Sequence, residues 1–176
     1  IPSGPAIRSD AIQDILLMAI YAAREELILT TPYFVPDELL LTALISAARR
    51  GVEVTLIVPS RVDSVLVRFA SQAFKADLLD AGIRVMQFEE GLLHTKSITI
   101  DGKVSLFGSL NLDPRSLHLN FEITLAIYNT VFTEKLRSLQ QSYAQHSHRM
   151  NRKSWESRSK LVKFTENAAR LLGPLL

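Results

Sequence analysis

Residues 37–58 read DELLLTALISAARRGVEVTLIV, a stretch that contains a whole helix followed directly by a buried strand. Asp37 is suited to cap a helix that runs to Ala48, and the two arginines before Gly51 suit its C-terminus. The next segment, 52–58, is almost continuously apolar, as in a strand covered on both faces of its sheet. The stretch therefore predicts a helix and a strand layered against each other.

The same alternation continues on both sides of this stretch. A short apolar strand lies at 27–31, and a helix at about 64–81 is followed by a strand at 83–88. An earlier helix is expected to begin at a capping residue, Ser9 or Asp10. Strands that alternate with helices predict an α/β fold, with a mixed, mostly parallel β-sheet flanked by helices on both faces.

The pattern changes after residue 94. Two strand-like segments flank Asp101-Gly102, a dipeptide that strongly favours a two-residue hairpin turn. We expect further strands and helices, a polar connection and a last amphipathic helix. The segments are strands at 95–100, 103–107 and 121–128, a helix at 134–145, the connection at 147–159 and the last helix at 160–172.

Composition excludes several classes of protein. Of the 176 residues, 47% are hydrophobic and 22% are charged, which is typical of an ordered globular protein. No cysteine is present, so a disulfide framework and a cysteine metal site are excluded. The longest uncharged run, 123–133, is far shorter than the ~20 apolar residues that cross a bilayer. Residues 1–5 resemble neither a signal peptide nor an initiation site, so we expect a cut within a longer polypeptide.

Basic residues are concentrated near the C-terminus. The net charge of the chain is +2, but residues 149–163 hold six basic side chains and one acidic side chain. Such a segment is compatible with a solvated tail, and also with attraction to anionic phospholipid or nucleic acid. Charge alone leaves these alternatives open.

Three pairs of polar residues stand at the ends of apolar segments. Within each pair the residues are two apart, so on a strand their side chains point to the same side. Polar groups beside buried strands are costly unless they serve one another, so we expect one shared site. The pairs are His94 and Lys96, Ser109 and Asn111, and Asn120 and Glu122.

These residue types suit phosphodiester chemistry without a metal. A neutral imidazole at His94 can attack phosphorus, or move a proton to and from an alcohol oxygen. Lys96 can balance the charge that builds on phosphate oxygens, to which Ser109 and Asn111 can donate hydrogen bonds. Glu122 is suited to bond the far imidazole nitrogen and to fix its tautomer.

Other groups are weaker candidates. Asp101 lies at an odd spacing from His94 in the hairpin turn, where a turn-forming role and a catalytic role are both compatible. His118 stands near the three pairs, whereas His146 and His148 are expected to be solvated. The sequence has no phosphate-binding loop, no histidines at metal-ligand spacing and no nucleophile elbow, so we expect no cofactor and no metal.

Residues 94–101 and 108–111 resemble the H-x-K-x4-D signature and the G-S-x-N extension of the phospholipase D superfamily. Other segments are similar to its bacterial cardiolipin synthase family, at 32–38, 111–116, 120–122 and 174–176. The similarity covers essentially the whole chain, aligned to the C-terminal half of that family.

The resemblance implies a phospholipase D-like catalytic half-domain at 1–148, with a basic segment and the final helix at 149–176. In that family two half-domains, each with one histidine and one lysine, form a single active site. The catalytic positions correspond here to His94, Lys96 and Asp101, and the phosphate-binding or supporting positions to Ser109, Asn111, Asn120 and Glu122.

The resemblance also implies a reaction. Two phosphatidylglycerol molecules give cardiolipin and glycerol through a phosphohistidine, at a bacterial inner membrane, and related enzymes favour His94 as the proton-transferring histidine. The partners implied are phosphatidylglycerol, an anionic phospholipid surface, and a second half-domain. That half-domain is the N-terminal half of the same polypeptide or a second copy of the chain. No nucleic acid is expected.

The His-x-Lys pair occurs once in this chain. We therefore expect the chain to supply half of an active site and to be inactive unless paired. Two other classes of function remain open. One is a homodimeric phospholipase D-type phosphodiesterase or nuclease, and the other is an interaction half-domain without catalysis.

Overall fold

A computed structural model describes residues 1–5, 11–62 and 65–152, without the side chains of 65–67. None of the helices in these ranges has both the length and the apolar character that crossing a bilayer requires. The elements are, in chain order, β1 (Pro2–Ser3), α1 (Ala11–Ala22), β2 (Glu26–Thr30), α2 (Glu38–Arg49), β3 (Glu53–Pro59), α3 (Val65–Asp80), β4 (Arg84–Phe88), β5 (Ser97–Ile100), β6 (Val104–Gly108), α4 (Pro114–His118), β7 (Glu122–Ile127), α5 (Thr130–Gln145) and β8 (Ser147–Arg149).

The described strands form one sheet in the order β1-β7-β6-β5-β2-β3-β4-β8. The β2–β3 and β3–β4 pairs are parallel, because a helix connects each strand to the next. The other five pairs are antiparallel. The mixed α/β sheet is therefore confirmed, but its description as mostly parallel is wrong. Hairpin and edge strands, which need no helical crossover, extend the parallel centre on both sides.

Helices cover both faces of the sheet, as predicted. Leu27 and Leu29 of β2 belong to the main core with α1, α2 and α3, whereas Ile28 belongs to a smaller cluster that contacts α5. Alternate residues of a strand point to opposite faces, so α5 lies on the face opposite the other three helices. It contacts strands β2 to β6 and β8.

The predicted hairpin joins β5 and β6. Asp101 and Gly102 both have positive φ angles, 51° and 63°, as the predicted turn requires. Lys103 adds a third loop residue, since its N–H donates to the carbonyl of Ile100 at 2.9 Å while Ile100 pairs with Val104.

Capping side chains set the starts of two helices. Asp37 accepts a hydrogen bond from the backbone nitrogen of Leu40 at 2.8 Å, which confirms the predicted cap of α2. Asn129 accepts one from Phe132 at 2.9 Å, so α5 begins at Thr130, four residues before the predicted start. The cap therefore outweighs the low helix propensity of the β-branched residues that follow it.

Three short elements were not predicted, namely β1, α4 and β8. β8 occupies the start of the predicted connection and pairs with β4, so the sheet continues past the expected unit boundary after residue 148. Backbone pairing fixes such short strands, and a three-residue strand has no recognisable period. The predicted cap at Ser9 or Asp10 and the predicted helix at 160–172 lie outside the described residues.

Candidate active site

The three polar pairs meet at one edge of the sheet. β5 begins where β2 ends, since Ser97 pairs with Thr30. β6 ends and β7 begins at this same edge, where Gly108 pairs with Thr124. Antiparallel neighbours therefore bring together the residues that flank them, namely His94 and Lys96, Ser109 and Asn111, and Asn120 and Glu122.

His94 is exposed and lies directly against Lys96. The Lys96 Nζ atom is 3.1 Å from Nδ1 and 3.4 Å from Nε2 of the imidazole ring. The same ammonium group donates a hydrogen bond to the His94 carbonyl at 3.0 Å. A phosphate that approaches the exposed ring therefore meets the positive charge of the lysine.

Two carboxylates influence the charge on Lys96. Burial lowers the pKa of Lys96 from its ordinary value, while the negative charges of Glu122 and Asp113 act in the opposite direction. Partial burial also reduces the screening of its charge by water, which strengthens its effect on a bound phosphate. The carboxylates thus oppose the loss of a charge that the proposed chemistry needs.

Glu122 connects the polar residues of β6 and β7. One carboxylate oxygen accepts a hydrogen bond from Ser109 Oγ, and the other accepts one from Asn120 Nδ2 at 3.2 Å. In the described part of the chain no hydrogen bond joins Glu122 to the far nitrogen of His94, contrary to our expectation. Both oxygens of Glu122 are already engaged by neighbours on its own side of the site.

β6 and β7 approach each other closely at Gly108. A Cβ atom here would lie 2.0 Å from the carbonyl oxygen of Ile123 and 2.9 Å from the Cα of Thr124. Because both neighbours are backbone atoms, the position requires glycine. The close approach lets the backbone N–H of Ser109 donate to the Ile123 carbonyl at 3.0 Å, which places its side chain beside Glu122.

α4 holds Asn111 and Asp113 beside the site. Asn111 Nδ2 donates to Ser116 Oγ at 3.1 Å, while Asn111 Oδ1 is buried without a hydrogen-bond partner among the described residues. Asp113 caps α4 by accepting a hydrogen bond from the Ser116 backbone at 2.7 Å. Burial raises the pKa of Asp113, although the Ser116 hydrogen bonds act against this. Our sequence prediction missed Asp113, although Asp before Pro is a helix-start signal.

Asp101 lies at the other end of β5 from His94. Its carboxylate accepts hydrogen bonds from the backbone nitrogens of Arg24, Glu25 and Glu26 at 2.8–3.2 Å. Burial acts to raise the pKa of Asp101, but these three donors outweigh it and lower that pKa overall. The carboxylate therefore joins the hairpin to the start of β2, which favours the turn-forming role over the catalytic one.

In the described residues no hydrogen bond or ion pair joins the other histidines to His94. His118 lines a groove of about 670 Å³ between α2, α3 and α4, which none of the six paired residues lines. His146 and His148 are exposed, as predicted. In the ranges that the structure describes, no three histidine or acidic side chains are arranged to hold a metal ion.

Gln140 of α5 contacts the segment that carries His94 and Lys96, from the face of the sheet that α5 covers. Its amide nitrogen lies 3.2 Å from both the carbonyl and the Oγ atom of Ser97, the residue after Lys96. No sequence signal identifies this residue, because its neighbour Gln141 is chemically identical and only the packing of α5 distinguishes the two.

A mixed α/β sheet with one histidine–lysine pair at its edge is the arrangement of a phospholipase D-like half-domain. The family model described as cardiolipin synthase, PLD-like domain, matches residues 16–144, which include the whole candidate site. The chain therefore belongs to the family of cardiolipin synthase phospholipase D-like domains.

Curated relatives match the full length of the chain. It is 49% identical over 176 residues to cardiolipin synthase A of Serratia proteamaculans and 50% identical to that of Erwinia tasmaniensis. Each match covers 100% of this chain but 36% of the relative. The chain thus spans about a third of the length of these relatives.

Solved structures share the fold at low sequence identity. A phospholipase D family member, Nuc from Salmonella typhimurium, has a TM-score of 0.73 at 22% identity, covering 86% of this chain and 99% of that one. Phosphatidylserine synthase from Haemophilus influenzae has a TM-score of 0.75 at 17% identity, covering 99% of this chain and 47% of that one. The same fold therefore fills one of these chains and about half of the other.

Proposed function

We propose that this chain supplies one of the two His/Lys half-sites of a phosphatidyltransferase, which condenses two phosphatidylglycerol molecules into cardiolipin and glycerol. The observation that carries the proposal is the contact between the exposed His94 ring and the Lys96 ammonium, in a chain of the cardiolipin synthase family. We place the reaction at the bacterial inner membrane, where an anionic phospholipid surface presents the substrate.

The proposed reaction proceeds by two displacements at phosphorus. One histidine attacks the first phosphatidylglycerol, forming a nitrogen–phosphorus bond while glycerol leaves with a proton from the other histidine. The hydroxyl of the second phosphatidylglycerol loses its proton to that histidine and attacks the phosphohistidine, which releases cardiolipin. We assign the proton transfers to His94 and the stabilisation of the phosphate oxygens to Lys96 and Asn111, with Ser109 contributing once its hydroxyl turns from Glu122 to the phosphate.

The second half-site requires a partner, and an exposed apolar surface supports a contact beside the site. Four side chains that are 39–69% exposed form this surface, which we call the β7 stripe: Phe107, Phe121, Ile123 and Leu125. Phe107 pairs with Leu125, and the other members alternate along β7, so all four share the face that carries α5. Contiguous exposed apolar surface of this kind is typical of protein contacts.

The β7 stripe lies at the same end of the sheet as the polar residues but on the face that carries α5, because Phe121 stands between Asn120 and Glu122 and strand residues alternate between faces. We propose that a second phospholipase D-like half-domain contacts this surface and extends past the strand ends to the open site where His94 lies. We propose such a half-domain as the partner, either the other half of the same polypeptide or a second copy of this chain.

The proposal is tested with His94→Ala in the assembled protein, using phosphatidylglycerol vesicles and measuring cardiolipin and released glycerol. We expect both products to fall about a thousand-fold or more, because a reacting group is removed. The matched control, His148→Ala, removes an exposed histidine of β8 at the far edge of the sheet and should retain parental activity. Parental activity in the His94 variant would disprove the proposed role.

The single His-x-Lys pair favours one other candidate, a homodimeric phosphodiesterase or nuclease. That function predicts cleavage of DNA that weakens steeply as the salt concentration rises, because phosphate binding releases counterions. Incubation of the chain with DNA and with phosphatidylglycerol vesicles separates the two candidates by which substrate is consumed.

A further inference from the structure

Gln140 joins α5 to the edge of the sheet where the site lies. Its Nε2 atom is 3.2 Å from Ser97 O and Oγ, 3.2 Å from the Ile28 carbonyl and 3.3 Å from Thr30 Oγ1. Its Oε1 atom accepts a hydrogen bond from Thr99 Oγ1 at 2.7 Å. The side chain is fully buried, so these bonds fix the start of β5 relative to the end of β2.

Tyr143 lies one helical turn further along α5 and reaches the central residue of the His-x-Lys segment. Its hydroxyl oxygen is 3.3 Å from Thr95 Oγ1. Its ring meets Phe88 edge to face, with ring centroids 5.5 Å apart. Leu93 is buried in the same cluster, so a third position of the segment also faces α5.

Residues 93–97 therefore alternate between two environments. The odd-numbered members face α5 and are bonded or packed there, whereas the even-numbered members, His94 and Lys96, face the site. We infer that Gln140 and Tyr143 are positioning residues, which set the orientation in which the histidine and lysine meet the phosphate. The inference rests on the proposed function, since it presupposes that His94 and Lys96 react with or bind phosphate.

Gln140 and Tyr143 matter for the orientation of His94 because few contacts hold its ring on the side of the segment that faces the site. The ring is exposed, and the Lys96 ammonium is its hydrogen-bonding neighbour in the described residues. The position of the ring therefore depends on the backbone of the segment. Contacts with the α5 side anchor that backbone at Leu93, Thr95 and Ser97, which flank His94 and Lys96. Displacements of about 1 Å at reacting groups can cost a hundred-fold in rate.

Two conservative variants test the inference. Gln140→Met keeps the length of the side chain but removes the amide, and Tyr143→Phe removes the hydroxyl while keeping the ring against Phe88. The matched control is Thr133→Val, which breaks a buried 2.7 Å hydrogen bond between Ser105 and the same helix, two turns before Gln140. All three variants are compared by thermal unfolding.

The first measurement is the NMR spectrum of the chain labelled with ¹³C-histidine. Loss of a signal in His94→Ala assigns the His94 ring, and His118 serves as an internal reference. We expect Gln140→Met and Tyr143→Phe to shift the His94 ring signals, and Thr133→Val to leave them in place. This readout does not depend on catalysis.

The second measurement is cardiolipin formation by the assembled protein. We expect kcat to fall about 10–100-fold in Gln140→Met and about 3–10-fold in Tyr143→Phe, with KM within about twofold of the parent. Thr133→Val should keep the parental kcat even if it lowers the unfolding temperature as much as Gln140→Met and Tyr143→Phe do.

The inference is overturned if the two variants match Thr133→Val in both the His94 signals and kcat. Loss of kcat that only follows the loss of thermal stability in all three variants overturns it equally. Parental activity in His94→Ala has a different meaning, because it overturns the proposed function itself. The two failures are therefore distinguishable.

Discussion

Lys96 depends on two acidic residues that are distant from it in sequence. Burial lowers the pKa of Lys96, and Glu122 and Asp113 act against that effect. Glu122 is in turn held by Ser109 and Asn120, so its position relative to the lysine is fixed by β6 and β7. The pKa of Lys96 therefore depends on how the ends of β5, β6 and β7 are placed relative to one another.

Glu122→Gln tests this dependence. The substitution removes a charge that raises the pKa of Lys96, so that pKa should fall further below its ordinary value. Because the cationic form is needed, the alkaline limb of the profile of kcat/KM against pH should move to lower pH. The control, Glu53→Gln, removes a carboxylate at the opposite end of the sheet and should leave that limb unmoved. An alkaline limb that stays in place in Glu122→Gln would contradict the assignment.

The β5–β6 hairpin is attached to the rest of the sheet by a residue of the motif. Asp101 accepts three backbone N–H groups that precede and begin β2, and its positive φ angle is one that Asp and Asn tolerate better than most residues. The turn conformation and the tie to β2 thus depend on the same residue. This explains why the motif's aspartate lies far from His94.

Asp101→Asn should destabilise the fold by about 1 kcal/mol at pH 7, a low figure because the group is partly open to solvent. Its folded-state pKa is lowered, so its contribution is complete above the ordinary aspartate pKa and is lost as the pH falls towards the folded value. Urea unfolding should therefore show a difference from the parent that is full at pH 7 and narrows below about pH 4.

The control for this measurement is Asp80→Asn at the exposed end of α3, whose surface ion pair with Arg152 should contribute little. A difference between the parent and Asp101→Asn that persisted unchanged into acid would contradict the assigned role of the carboxylate.

The whole molecule has an open site at one end of the sheet and an uncovered surface on the face that carries α5. α5 covers the sheet as far as Ser105, which bonds to Thr133, but Phe107 and Leu125 beyond it remain exposed. The chain belongs to the cardiolipin synthase family and spans about a third of its curated relatives, while the fold fills about half of a solved phosphatidylserine synthase chain. The β7 stripe is thus the surface that we propose for the second half-domain.

Leu125→Lys tests that surface. A buried lysine opposite an apolar partner is costly, so we expect weaker association in sedimentation velocity and a fall of about tenfold or more in cardiolipin formation. The matched control is Met18→Lys on α1, which is 62% exposed and distant from the stripe. Equal behaviour of the two lysine variants would show that the stripe is not a contact surface.

Periodicity and capping determined most of the fold from the sequence. The period of 3.6 or 2 identified the principal helices and strands, Asp37 fixed the start of α2, and Asp101-Gly102 predicted the hairpin. These signals succeed because they act between residues that are close in the chain. The spacing of two between His94 and Lys96 likewise predicted that both would face one side, since strand geometry alone sets it.

Only the tertiary structure decided the rest. It determined that most strand pairs are antiparallel, that Asp101 bonds to β2, that Glu122 bonds to Ser109 and Asn120, and that Gln140 instead of Gln141 lies behind the site. Each of these depends on contacts between residues that are far apart in sequence, and no local spacing encodes which of them will meet.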